Sequence, residues 1–345
     1  MLQEKQIGSR TIALPRVPDI AGLKFRKFQG ESDFPVMLAI IHGSEEADRD
    51  EPTSTLEDIQ RDYTHLVNCN PYQDMIMAEV NGKVIGYGRV FWMELGDGDR
   101  IYGHFVHLLP AWRKYGIRQT MLQYNELRAR EIAAGHPKTN ARWFEAWASE
   151  HEHDWREVLL TADYRPVRYG YQMVRPDLEN IPDLPLPAGL EVRPVGPEQY
   201  RQVWEAAQEA FRDHWGYSDD EWADENYTSW MEWPDFEPRL WQVAWDKDEV
   251  AGMILNFINR NENQQYQRLR GYTETICVRR PWRRLGLARA LIARSLRLLK
   301  DEGMAEACLG VDAQNPNGAR HLYESMGFQT TKEYTTYRKL MENLS

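Results

Sequence analysis

Hydrophobic positions in the C-terminal half change period several times, and each change marks an element. Leu287, Leu291, Leu298 and Leu299 fall at helical spacing and predict a helix ending near Gly303. LRGYTETICV before them is rich in β-branched and aromatic residues and predicts a strand. LWQVAWD and EVAGMILNFIN read as a hairpin across the turn-like KDE, and GLEVRPV as a short strand. Two helical stretches separate them, from about Pro197 to Trp215 and from about Asp219 to Met231. EACLGVD is a further strand. PNGARHLYESM predicts a helix with Pro316 at its first position and Gly327 beyond its end, and GFQTTKEYTTYRKL alternates like a final strand.

The outline occurs twice. LLPAWRKYGIRQTML echoes CVRRPWRRLGLARAL, which aligns Trp112 with Trp282, Arg113 with Arg283 and Gly116 with Gly286. ADYRPVRYGYQMV and SMGFQTTKEYTTYRKLM follow in the same order. The length of 345 residues also favours two domains. The join falls in RPDLENIPDLPLPAGLEVRP, where Pro176, Pro182, Pro185 and Pro187 deny helix and disfavour central strand. The expected domains are residues 1–180 and 188–345.

Composition narrows the function. A formal net charge of -11 argues against a general nucleic-acid binder. Three widely spaced cysteines (Cys69, Cys277, Cys308) suit a reducing compartment and offer no CxxC zinc pattern. The start lacks the apolar core of a signal peptide, and no apolar run approaches the roughly 20 residues of a membrane helix. A cytoplasmic protein without nucleic-acid or membrane partners is expected.

Against that acidity, the 22 residues from Arg279 to Lys300 hold eight basic side chains and no acidic one. A strand ending at Val278 and turning through Arg283–Gly286 into a helix leaves free backbone N–H groups at the helix start, an anion site. Gly286 and the small Ala288 let a diphosphate approach the backbone, and the arginines add charge-assisted bonds. The competing explanation is an amphipathic helix with an arginine-rich outer face. The coincidence of strand, turn and glycine favours the anion site.

Here the chain resembles a family. Arg283-Arg-Leu-Gly286-Leu-Ala288 is similar to the R-x-x-G-x-A pyrophosphate loop of the GNAT N-acetyltransferase superfamily, and NPNGARHLYESMGF to its N…A…LY…GF motif. DHWG (Asp213 to Gly216) and LGVDAQN (Leu309 to Asn315) are similar to tandem two-domain GNAT proteins, including mycothiol synthase-like sequences. The likeness is close in the C-terminal half and loose in the N-terminal half. It implies an α/β (α+β) fold of two tandem domains, each a mixed, largely antiparallel sheet splayed in the middle with helices on both faces.

The resemblance also implies roles. Acetyl-CoA would lie along Cys277, Val278, Arg283, Arg284, Leu285, Gly286, Leu287, Ala288 and Arg289, with its pantetheine arm in the splay and a backbone N–H near Val278 polarising the thioester carbonyl. Tyr323 falls on the family's tyrosine near the departing sulfur, as a hydrogen-bond donor or as an acid whose pKa the site lowers; packing on a short helix is the alternative. Glu274, four residues before Val278 and hence expected on the same strand face, is the candidate base, with an edge-exposed glutamate as the competing explanation. Asn315 either contacts the cofactor or substrate, or caps the following helix, the role that Asn before Pro favours. His214, Trp215 and Tyr217, in an aromatic and acidic stretch, are the acceptor candidates.

No metal is expected: HEHD (His151 to Asp154) lacks HExxH spacing and reads as a polar turn before a helix. No GxGxxG, Walker loop or GxSxG elbow occurs. The N-terminal half departs from the pattern, with Arg118 at the place of Ala288 and no N…LY pair before ADY, so its expected role is structural. The expected activity is acetyl transfer from acetyl-CoA to a primary amine of a small molecule in a ternary complex, by a monomer (a pseudo-dimer of two domains) or a homodimer. The alternatives are a non-catalytic CoA-binding sensor or interaction protein, and acylation of an amino group in a thiol cofactor.

Overall fold

A computed structural model describes residues 12, 14, 16–315 and 318–342, and the chain forms two compact units. The N-terminal unit runs to residue 167 and takes in residues from 335 onward. Its strands are β1 (Leu23–Arg26), β2 (Met75–Val80), β3 (Lys83–Glu94), β4 (Arg100–Leu108) and β5 (Arg142–Ser149), hydrogen-bonded in that order. All neighbours are antiparallel except β4 and β5, which the helix Ile117–Ala133 connects as a parallel crossover.

The C-terminal unit holds residues 168–334. It contains most of β6 (Arg165–Arg175), then β7 (Glu191–Val192), β8 (Gln242–Asp246), β9 (Glu249–Phe257), β10 (Arg270–Val278), β11 (Glu306–Asp312) and the start of β12 (Gln329–Leu340). The order is β7-β8-β9-β10-β11-β6, with β10 and β11 the parallel pair, joined by the helix Leu287–Asp301. The strands foreseen in this half form close to their expected bounds, except that GLEVRPV gives only the two residues of β7.

The units are not the linear halves 1–180 and 188–345. Strand β6 pairs with β11 along six residues, from Ala307↔Arg175 to Asp312↔Gly170. The end of β12 returns to the N-terminal unit, where Arg338 Nε meets Glu145 at 2.6 Å and Met341 N meets Arg142 O at 2.8 Å. Each half therefore lends its last strand to the other unit. A scan for proline-rich joins finds covalent breaks and is blind to such pairing.

Both faces of the C-terminal sheet are packed. Leu287, Leu291, Leu296 and Leu299 of the long helix are buried with Ala251 and Ile254 of β9. Val203, Ala206, Ala207 and Ala210 of the helix Tyr200–Phe211 are buried with Val250, Met253 and Leu255 of the same strand. Leu298, expected in the core, is only partly buried. Among the described residues no helix is long and apolar enough to cross a membrane.

Candidate active site

The parallel pairing of β10 with β11 stops at Tyr272↔Cys308, although the strands continue to Val278 and Asp312. Beyond that point they part, and Glu274 reaches across, its Oε1 accepting from Gly310 N at 3.2 Å. Opposite β9, Glu274 pairs with Leu255 but Cys277 with Met253, so β10 carries one extra residue between them. Thr275, at φ 49°, is the left-handed residue of this bulge. The extra residue inverts the alternation. The four-residue spacing therefore does not place Glu274 and Val278 on one face; Cys277 shares the side of Glu274.

A cavity of about 590 Å³ opens at the splay. Glu274, Cys277, Val278, Arg283, Arg284, Gly286, Leu287, Ala288, Arg289, Asn315, Tyr323 and His214 all line it. Leu285, 58% exposed, lies outside its wall, as do Trp215 and Tyr217. Trp215 stacks instead under the guanidinium of Arg168, 5.2 Å from its ring centre, and Tyr217 donates to Asp219 Oδ1 at 2.5 Å. Sequence reasoning missed Thr275, Ile276, Gly310 and Asp312 in the wall. The bulge and the strand splay that expose them leave no mark in local periodicity.

At the far end of the cavity Gly286, at φ 87°, caps the long helix. The first helical bond is Ala290 N to Gly286 O, which leaves the N–H groups of Leu287, Ala288 and Arg289 without intrahelical acceptors. A Cβ on Gly286 would meet no heavy atom within 4 Å; the backbone angle requires the glycine, and the space beside it is open.

The arginine run divides into two groups. Arg279 binds Glu209, Arg280 and Arg283 bind Asp213, Arg294 binds Gln242, Arg297 binds Asp183, and Lys300 binds Glu179. Among the described residues, only Arg284 and Arg289 of the eight have no such partner, and these two flank Gly286. Arg283 was expected on the diphosphate, but its side chain serves the scaffold. It donates to Val278 O at 2.9 Å, Ala210 O at 3.2 Å and Asp213 Oδ2 at 2.7 Å. The two arginines hold the Asp213 carboxyl well below the usual range.

Burial pushes the Glu274 pKa up to about 7, against the hydrogen bond from Gly310. Tyr323, 5% exposed, is raised above an ordinary phenol by burial and then by the charge of Glu274. The alternative of a lowered tyrosine pKa is thereby corrected: the site stabilises the neutral phenol. Burial also raises the free thiol of Cys277 to about 12 and lowers His214. Asn315 is not the helix cap. Gly318 caps Ala319–Ser325, while Asn315 N donates to Asp312 O. Pro316, expected to start that helix, lies outside the described residues.

The N-terminal unit repeats the frame without these groups. Gly116, at φ 76°, caps its long helix, but Arg118 at the position of Ala288 is 1% exposed and donates to Asp154 Oδ2 at 2.7 Å, with Glu152 at 3.8 Å. HEHD thus supplies carboxylates to an arginine. Tyr164 N bonds Leu159 O at 3.0 Å as Phe328 N bonds Tyr323 O at 3.0 Å, so a leucine holds the tyrosine's place. His104 lies 170 positions before Glu274 in the duplicated strand, its pKa pushed down to about 3 by burial, while Phe105, opposite Arg89, takes the level of Glu274, opposite Leu255. Strand β4 pairs with β3 from Gly86↔Leu108 to Glu94↔Arg100 with no bulge.

The sequence model of the acetyltransferase (GNAT) family matches residues 201–328. The mycothiol acetyltransferase of Salinispora tropica is 26% identical over 272 residues, covering 78% of this chain and 82% of its own. That of Paenarthrobacter aurescens is 26% identical over 255 residues, 73% of each. The crystal structure of a GCN5-related N-acetyltransferase from Sphaerobacter thermophilus superposes with a TM-score of 0.70 at 24% identity over 94% of this chain and 97% of that one. A tandem GNAT protein from the clavulanic acid biosynthesis pathway gives 0.65 at 15% identity, covering 94% and 100%. Motif, splayed sheet and these similarities agree: residues 201–328 form a domain of the acetyltransferase (GNAT) family, in a chain with the tandem GNAT fold.

Proposed function

We propose that the C-terminal unit transfers an acetyl group from acetyl-CoA to a primary amine of a small molecule, by direct attack in a ternary complex. One observation carries this reading: Glu274, with a pKa near 7, and the neutral Tyr323 line one cavity whose far end is the glycine-capped helix start. The free N–H groups of residues 287–289, with Arg284 and Arg289, would receive the diphosphate. The pantetheine arm would pass along β10 into the splay.

There the amine attacks the thioester carbon. A C–N bond forms, the C–S bond breaks, and a proton leaves the amine for the Glu274 carboxylate. A carboxyl pKa near 7 suits a base working near neutrality. Tyr323 donates a hydrogen bond to the sulfur as negative charge develops. With a phenol pKa above 10 and a thiol near 8.5, full transfer from Tyr323 would be uphill by more than about 2 kcal/mol. The thiolate therefore leaves under a hydrogen bond and takes its proton from water.

A second acceptor class has its own support. Two relatives aligned over most of this chain are mycothiol acetyltransferases, which favours an amino group within a thiol cofactor as one acceptor to assay. Release of free CoA from acetyl-CoA with a panel of amines, including amino-sugar thiols, tests the proposal. Amine-dependent release supports it. Saturable acetyl-CoA binding without turnover on any amine would favour a CoA-binding sensor instead.

A further inference from the structure

Arg89 of β3 is half-buried between two rings, its guanidinium carbon 5.1 Å from the centres of both Tyr63 and Phe105. Among the described residues it forms no ion pair. Its Nε is buried without an acceptor, and the buried Tyr63 hydroxyl and Asn68 Nδ2 likewise have no hydrogen-bond partner. Arg89 acts on Tyr63 through its charge and a weak side-chain contact, which falls short of a hydrogen bond that would satisfy the hydroxyl. Cys69, next to Asn68, lies within electrostatic reach of Arg89, and so does Asp62, whose carboxylate is 60% exposed and turned to Arg61 at 3.2 Å. His107 on β4 is kept neutral by burial, its pKa pushed down to about 4. A guanidinium N–H buried without an acceptor is costly unless an anion or another acceptor meets it.

The place of this arginine gives it meaning. Gly86 pairs with Leu108 as Gly252 pairs with Val278, so three residues along, Arg89 opposite Phe105 stands level with Leu255 opposite Glu274. The N-terminal unit therefore carries a cation at the level where the C-terminal unit carries its carboxylate. Its helix start, meanwhile, is filled by Arg118 with Asp154 and Glu152. The position that would receive a diphosphate is closed, while donors remain unmet deeper in the sheet.

We propose that Arg89, with Tyr63, forms an oxyanion-binding site in the N-terminal unit, for a small organic molecule bearing a carboxylate or a phosphate. The flanking rings cover both faces of the guanidinium and leave its edge for the two oxygens of the anion. This site is independent of the acetyl-transfer reading.

Calorimetric titration of the full chain with sodium benzoate and with sodium phosphate, at constant ionic strength, tests it. With the helix start of residues 287–289 filled beforehand by excess coenzyme A, one or both anions should bind at a single site. Arg89→Met should weaken that binding at least tenfold, while Arg89→Lys, which keeps the charge but loses the fork, should retain part of it. Circular dichroism melting reports whether each variant folds. If Arg89→Met does not fold, wild-type crystals soaked in the anion decide: density on the Arg89 edge supports the site, and water alone there overturns it. Failure of both anions to bind wild type, or undiminished binding by folded Arg89→Met, also overturns it.

Discussion

Arg113 and Arg283, 170 positions apart, make the same anchor within their own units. Each donates through Nε to the carbonyl five residues upstream, Leu108 O at 3.0 Å and Val278 O at 2.9 Å, and each grips an aspartate, Asp48 or Asp213. The first arginine of the duplicated motif thus ties a strand end to the turn before the helix. That task is needed whether or not a diphosphate binds, which is why it persists in the unit whose helix start is closed by Arg118.

The two kinds of arginine should separate on mutation. Arg283→Met removes bonds to two backbone carbonyls and should lower stability by about 1–3 kcal/mol, read as a fall in Tm. Arg284→Ala and Arg289→Ala, at side chains without partners among the described residues, should leave Tm nearly unchanged. Each should weaken acetyl-CoA binding by roughly tenfold, about 1.4 kcal/mol, as loss of one charge-assisted contact implies. A larger Tm loss in the last two variants than in Arg283→Met would reverse the assignment.

The two capping glycines should also differ. Gly286→Glu adds a negative charge where the diphosphate would lie, at φ 87°, and should abolish calorimetric acetyl-CoA binding. Gly116→Glu carries a similar backbone cost of about 1–2 kcal/mol at φ 76° and should leave that binding intact. Equal loss in both variants would refute the asymmetry.

Much of this was legible in the sequence because it is local. The switch from strand to helix around Gly286 and the strands either side of it follow from periodicity and turn chemistry alone. The exchange of β6 and β12 was not, because pairing between distant strands has no local signature. The extra residue at Thr275 was hidden for another reason: TETICV alternates plausibly with or without a bulge. The scaffold bonds of Arg283 were hidden because a cation beside a glycine turn reads as a ligand, and its partner Asp213 lies 70 residues upstream. Trp215 and Tyr217 misled because aromatic side chains near a site can equally stack on Arg168 or bond a neighbouring aspartate.

Tyr323→Phe keeps the ring that packs 6.1 Å from Phe328 and removes only the donor. With chemistry rate-limiting, kcat should fall roughly 10²-fold or more, with acetyl-CoA affinity near normal. An unchanged kcat would assign the side chain to packing.

Glu274 should also cost stability at high pH. Its folded pKa of about 7 lies above the value near 4.3 expected when unfolded, so folding favours the protonated form. The stability it contributes is complete below about pH 4 and is lost as pH rises through 7. Glu274→Gln should therefore stabilise the protein at pH 8 by on the order of 1–3 kcal/mol, and change little at pH 4. Equal Tm differences at both values would remove burial as the cause of the raised pKa.

The same substitution tests the central claim most directly through the pH profile of kcat/KM, measured with two amines of different pKa. For wild type a rising limb should appear near pH 7, common to both amines, because the Glu274 carboxylate must be ionised to take the amine's proton. In Glu274→Gln that limb should vanish and the rate should fall about 10²-fold or more. A limb that instead follows each amine's own pKa, in wild type and mutant alike and at equal rates, would contradict the account.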